Sequence, residues 1–406
     1  MKRYAIVGSG YRGLYMFGKR LSSETYKQSV DLVGVCDPNR KRAEFFSAES
    51  GGTPVYTDYK VMLDTAKPDV VIVSTIDAVH DEYIVKALER GIQVISEKPM
   101  TIDPARSRRI QEAEKRTGIN VKVVFNMRYM PLQRKIKEVI ASGRIGEVQA
   151  VNMEWYLDTR HGADYFRRWH RHMDKSGGLL VHKSTHHFDL INWWLDDRPQ
   201  SVQANGDLVF YGPNRDYQGV RCQGCPHQDK CEFYWDITSD PIYEGMYHQT
   251  ESEDGYIRDG CVFGDDIDIY DTMAVQVEYE KGAMLNYSLI AYSPYEGWHL
   301  SITGKEGRLE VNEFLSGPRS AESSDRIMFY GRDGSHEVIE IPKLEGSHGG
   351  SDDLLLSDLV FGRTTADELG QQATSQDGVY SLIIGSAANQ AIKTRERVNI
   401  AAYLES

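Results

Sequence analysis

Up to Val148, short apolar runs alternate with amphipathic segments; the runs are Tyr4–Val7, Val30–Cys36, Val70–Ser74, Gln93–Ser96 and Val121–Phe125. Strands separated by helices are the pattern of a parallel sheet with helical crossovers. Asp81–Arg90 and Pro104–Arg116 carry helical periodicity, and Asp103 is placed to cap the second with Pro104 at its first position. From Val148 the period shortens to two. Alternating strands are predicted at Val148–Tyr156, Thr272–Tyr279, Ala283–Tyr292, Leu300–Thr303 and Arg308–Val311, as in an antiparallel sheet with one buried face. Tyr211–Asp268 is irregular and rich in Gly, Asp, Tyr and Cys; loops this long are uncommon unless functional or tied internally. Gly378–Thr394 reads as an amphipathic helix rich in small residues.

A chain of 406 residues is too long for one comfortable core, so two domains are expected. No stretch approaches the roughly 20 apolar residues of a membrane span. The first strand begins almost at once, leaving no room for a signal peptide, so the expected location is cytoplasmic. A net charge of −13 argues against nucleic acid as a partner. The nearest basic patch, Arg40-Lys41-Arg42, reads as a solvated helix face.

Gly8-Ser9-Gly10-Tyr11-Arg12-Gly13 closes the first strand and opens a helix. Such glycines serve a tight turn, close approach of backbone to a pyrophosphate, and helix-on-strand packing. With 36 glycines the spacing alone is weak, but the second strand ends in Asp37, 24 residues past Gly13, where an acid can accept ribose hydroxyls. The fold class is therefore α/β. Residues 1–126 are expected to form a Rossmann dinucleotide-binding domain. Residues 127–406 are expected to form an α/β domain with an open, mainly antiparallel sheet, carrying an insertion at about 211–268 and a C-terminal helix that packs back on the first domain. Asp37 favours NAD, since its carboxylate repels a 2′-phosphate; Arg40 or Lys41 swinging in would favour NADP.

Glu97-Lys98-Pro99 follows the strand Gln93–Ser96, and Thr75 and His80 end another, all at the carboxyl edge where open α/β sheets bind ligands. A second cluster runs from Gly177-Gly178 through His182, Lys183, His186 and His187 to Asp189. On one helix, His182 and His186 would share a face, with Asp189 three further on. Hydride removal from a secondary alcohol leaves a proton to be taken, a task suited to neutral imidazole beside an ammonium.

Together with Arg128-Tyr129, Pro131, Ser142–Gly146 and Gly304–Leu309, these motifs resemble the Gfo/Idh/MocA family over nearly the whole chain. The resemblance implies an NAD(P)-dependent oxidoreductase acting on a sugar or polyol, often a homodimer or homotetramer built through its open sheet. It implies Lys98 and His186 as catalytic residues, with His182 the rival where many members have Asp. Gly8, Gly10, Tyr11, Arg12, Gly13, Asp37, Thr75, His80, Glu97 and Lys98 fall to the cofactor, and Arg128, Trp169, Lys183 and His187 to the substrate.

Cys222, Cys225, Cys231 and Cys261 lie within the insertion. Four thiolates there suit tetrahedral zinc; free buried thiols or a disulfide are the other arrangements open. The nearby Tyr234, Trp235, Tyr243, Tyr247 and Tyr256 suit either a lid over a sugar or a small satellite core. Two rivals to a dehydrogenase remain. One is an NAD-dependent glycosidase or lyase working through a transient 3-keto sugar, which Ser347-His348-Gly349-Gly350-Ser351-Asp352 resembles. The other is a non-catalytic NAD-binding regulator, against which Lys98 and His186 argue.

Overall fold

The computed structural model describes residues 1–344, 347–363 and 366–405. In the first of two sheets, Lys2–Val7 is paired in parallel with Val30–Cys36 on one side and Val70–Val73 on the other. Val55–Tyr56 extends the first side; Gln93–Ser96 and Lys122–Val123 extend the second. Strand order thus reverses at Lys2–Val7, and the carboxyl ends of the strands on either side open a crevice. Apolar faces on both sides are covered: Ile84, Leu88 and Ile110 pack on Val71, Val73 and Val94, and Leu14, Phe17 and Phe46 on Ile6, Val35 and Ile72. Asp103 accepts the Arg106 N–H at 2.9 Å and starts the helix Pro104–Thr117, with Pro104 in its first turn.

The second sheet has nine strands. Val148–Asp158 pairs in parallel with Met284–Ser293 and antiparallel with Gly297–Gly304; the remaining pairs are antiparallel. Four strands of this sheet escaped the pattern reading: Pro199–Asp207, Ser324–Gly331, His336–Pro342 and the two-residue Val398–Asn399. Pro199–Asp207 contains one large apolar residue, Val202, and its alternation is carried by Ser201 and Ala204. One face of the sheet buries Val151, Met153, Trp155, Val275, Leu285 and Leu289 together with Phe188, Ile191 and Ile384 of the helices Ser184–Leu195 and Ser375–Thr394. The other face is polar, with Asn152, Asn286 and Gln276 hydrogen-bonded across neighbouring strands.

Two features tie the halves together. Ala373–Thr374 returns to the first sheet, antiparallel to Lys122–Val123. The helix Ser375–Thr394 follows, placing Val379 and Leu382 in the first domain's core and Ile383 and Ile384 in the second's. Gly385 permits its approach, since a Cβ there would lie 2.0 Å from the Leu180 carbonyl oxygen. Among the described residues, no helix is long and apolar enough to cross a membrane.

Candidate active site

Glycine chemistry shapes the cofactor end of the crevice. Gly8, at φ +96°, and Gly13 are packing positions: a Cβ would lie 2.4 Å from the Ser74 carbonyl oxygen at the first and 2.7 Å from Gly8 O at the second. Gly10 differs, because its Cβ would meet only the Tyr247 hydroxyl, at 3.5 Å, leaving that side open to the crevice. Asp37 is oriented by Ser9 N–H (2.9 Å), Ser9 O–H (2.8 Å) and Asn39 N–H (2.9 Å). Both Ser9 bonds go to Oδ2, so Oδ1, with one bond from Asn39, retains acceptor capacity for a ribose hydroxyl. Arg12 donates to Glu97 at 2.7 Å and approaches Asp352 at 3.4 Å, and Asp352 also accepts from Asn126 at 2.7 Å. These groups line a cleft of about 1200 Å³ shared by both domains. An open backbone turn with an ordered acid opposite suits a dinucleotide, whose nicotinamide supplies or accepts a hydride when bound.

Lys98 and His80 lie deeper. His80 is fixed between the carbonyls of Pro99 (3.0 Å) and Thr75 (3.2 Å). Lys98 Nζ donates to the His182 carbonyl at 3.1 Å, and burial pushes its pKa down to about 8 against the pull of Asp77 and Glu97. His182 Nδ1 lies 2.5 Å from Asp77 Oδ2, which leaves Nε2 for the cleft. Burial, then Lys98, Arg168 and Lys183, press His182 well below the usual histidine value, so the imidazole is neutral. Burial pushes Asp77 the opposite way, with Lys98 restraining it. His170 packs on the same ring at 4.0 Å and is stacked by Trp169 at 3.6 Å.

Several expectations need correction. The segment holding His182 and His186 is two helices, Leu179–His182 and Ser184–Leu195, with Lys183 between them; both histidines nevertheless line the cleft. Asp189 points elsewhere and binds Arg128 through two hydrogen bonds of 2.7 and 2.8 Å. Arg128, 2% exposed, is committed to that pair, to Asp377 and to Gly370 O, so it is a structural cation outside the cleft. His187 is likewise out of reach, stacked on Trp155 at 3.8 Å and bonded to the Tyr287 hydroxyl at 2.7 Å. Trp169 and Lys183 do line the cleft. Arg42 is no solvated charge: it is buried and bound to Asp254 at 2.8 Å and to Met246 O.

The insertion lies over the cofactor end. Tyr247 Oη accepts the Tyr11 N–H at 2.8 Å, and Tyr243 stacks on the Tyr11 ring at 5.4 Å. Its base is an aromatic core of Tyr211, Phe210, Phe233 and Phe263. All four cysteines border one small cavity of about 20 Å³, but among the described residues no three His, Cys, Asp or Glu side chains are arranged to hold a metal ion. Zinc is not supported. Cys222 instead accepts from Arg167 at 3.0 Å, and burial raises its thiol pKa.

Sequence reasoning missed Asp77 and Tyr247's contact with the turn. Asp77 had a signal: it is the one acid between Thr75 and His80, past the end of a crevice strand. The contact of Tyr247 crosses 236 positions and leaves no local trace. The backbone of Ser347–Gly350 is a short 3-10 turn leading into the helix Ser351–Phe361, while the side chain of His348 lies outside the described residues.

A doubly wound sheet with a glycine turn and an ordered acid past its second strand, opposed by lysine and imidazole, defines an NAD(P)-dependent dehydrogenase. The chain belongs to the Gfo/Idh/MocA oxidoreductase family: residues 2–125 match its NAD-binding Rossmann fold and residues 137–400 its C-terminal alpha/beta domain. The oxidoreductase YteT of Bacillus subtilis (strain 168), itself named by class alone, is 38% identical over 422 residues, covering 98% of each chain. The scyllo-inositol 2-dehydrogenase (NAD(+)) of the same organism is 30% identical over 207 residues, 51% of this chain and 58% of that one. Levoglucosan dehydrogenase, solved with NADH and levoglucosan, shares the fold with a TM-score of 0.70 at 16% identity, covering 98% of this chain and 99% of that one.

Proposed function

We propose that the protein oxidises a ring hydroxyl of a sugar, glycoside or cyclitol, with hydride passing to NAD. The observation that carries this is the convergence of Lys98 with the Asp77–His182 pair in the shared cleft. Relatives named scyllo-inositol 2-dehydrogenase and D-glucoside 3-dehydrogenase support the substrate class. Asp77 holds the His182 Nδ1–H, so Nε2 presents a lone pair to the substrate hydroxyl. The Lys98 ammonium stabilises the alkoxide that develops as the proton leaves, and His182 takes that proton. His186, at the same cleft, orients the hydroxyl.

The cofactor is NAD, because Asp37, past the end of the second strand, repels a 2′-phosphate and Arg42 is already paired with Asp254. A screen of sugars, glycosides and inositols for NADH formation, run in parallel with one for aglycone release, tests the reading. Accumulating NADH is expected. Release of aglycone without net NADH would replace oxidation by redox-neutral glycoside cleavage.

A further inference from the structure

We propose that the sugar this site takes is anionic: a uronic acid or its glycoside, whose carboxylate pairs with Lys183 in the cleft that Arg168 also lines. The inference rests on the sugar-oxidising reading above and narrows its substrate class.

Although the chain carries a net charge of −13, its second domain gathers cations at the cleft. Arg168, Lys175, Lys183 and Arg258 all line it. The acids that the same domain contributes there are Asp164, Asp254 and Asp352, and the last two are bound to Arg42 and Arg12 of the first domain. Asp164 alone serves two guanidiniums, Arg168 at 2.8 Å and Arg258 at 2.5 Å. Burial raises its pKa, but those two cations outweigh it and hold the carboxyl below its usual range. Those three groups carry a net positive charge, and Arg168 also acts on Asp77 of the first domain.

Lys183 is the more telling group. It sits between the two short helices, its ammonium 5.4 Å from the Trp155 ring centre. Among the described residues it forms no ion pair and its Nζ makes no hydrogen bond. The nearby acid, Glu296, is engaged by His161 at 2.9 Å. Burial lowers the pKa of Lys183, which is the mark of a charge lacking a close counter-ion. Deep cations without partners are costly unless a ligand supplies the anion. Trp169 lines the same cavity and offers a ring face to a pyranose. A carboxylate on the sugar ring supplies the counter-ion that the Lys183 ammonium lacks, whereas a neutral hexose does not.

The test uses the NADH-loaded protein and calorimetric titration with methyl β-D-glucuronide and methyl α-D-galacturonide, each against its neutral hexoside and its 6-phosphate. A uronide is expected to bind about 10- to 100-fold more tightly than its neutral counterpart, the scale of a charge-assisted hydrogen bond in a buried site. Lys183→Met should bring the uronide and hexoside affinities to within about twofold, and Lys183→Arg should keep the preference. Equal or weaker binding of both uronides, or no uronide binding at all, overturns the inference, as does a 6-phosphate that binds more tightly than either. NADH formation is measured with NAD-loaded protein on the same compounds. Uronide preference without NADH would sink the oxidation reading and spare the charge inference; equal NADH formation from neutral hexosides with no binding preference would do the reverse.

Discussion

Asp77 and His182 belong to different domains and meet at 2.5 Å across the crevice. In the proposed reaction, the proton acceptor and the group that sets its tautomer are thus brought together by the domain interface. His182→Ala should lower kcat by about 10²-fold or more, the scale of a positioned acid–base group, with NAD affinity nearly unchanged. Asp77→Asn should also lower kcat, because an amide can present its NH2 to Nδ1 and invert the tautomer. Steady-state kinetics and NAD titration on both variants and on His186→Ala decide the matter. A larger loss at His186 than at His182 would move the acceptor role to His186.

The Lys98 ammonium titrates near neutrality, since burial brings it down to about 8. A charged lysine is needed at the developing alkoxide, so kcat/KM should fall as pH rises through about 8. His182 is already neutral well below this window and adds no limb there. Lys98→Arg should carry the plateau above pH 9, at whatever height, because guanidinium keeps its proton. A pH–rate profile that instead climbs through pH 8 would make the neutral amine the base.

At Gly10 the protein has room for a methyl group and a dinucleotide does not. Gly10→Ala should melt within about 2 °C of the parent, as its Cβ makes an ordinary contact at 3.5 Å, yet bind NAD at least about tenfold more weakly. Gly13→Ala, by contrast, should destabilise the fold through its 2.7 Å approach to Gly8 O. Thermal melts with NAD titration separate the two effects. Unchanged NAD affinity in Gly10→Ala would remove the pyrophosphate from this turn.

Asp254 holds Arg42, a cation that interacts electrostatically with Asp37. Its removal frees Arg42, whose guanidinium is already within electrostatic reach of Asp37. Asp254→Ala should therefore raise the NADP-to-NAD affinity ratio by about tenfold, the effect of one freed charge-assisted contact to phosphate. Fluorescence titration with both dinucleotides measures it. A ratio that stays fixed would place Arg42 out of reach of the 2′ position.

How far the sequence could be read depends on how local the determinants are. The glycine turn, Asp37 and Lys98 sit at strand ends, where periodicity locates the crevice by itself. The division of Arg128 from the site was not legible, because a cation near a motif looks the same whether it meets substrate or Asp189. His187 misled for the same reason: one residue from His186, it lies about 100° further round its helix and stacks on Trp155 in the core. Strands such as Pro199–Asp207 were lost because Ser and Ala carry their buried face. Cysteine spacing suggested a metal, whereas aromatic packing and ion pairs such as Arg221–Asp259, at 2.6 Å, give the insertion its order.

The helix Ser375–Thr394, with Leu382 in one core and Ile383 in the next, makes the two domains one thermodynamic unit. Melting either core strips the helix of half its buried face and takes the edge strand Ala373–Thr374 away from Lys122–Val123. Heat should therefore unfold the chain in a single calorimetric transition. A gene fragment ending after Val123 would leave a sheet edge unpaired and Met100 uncovered by Gly378, a recipe for aggregation. A dinucleotide-binding module transplanted into another protein would therefore need residues 373–394 to travel with residues 1–126.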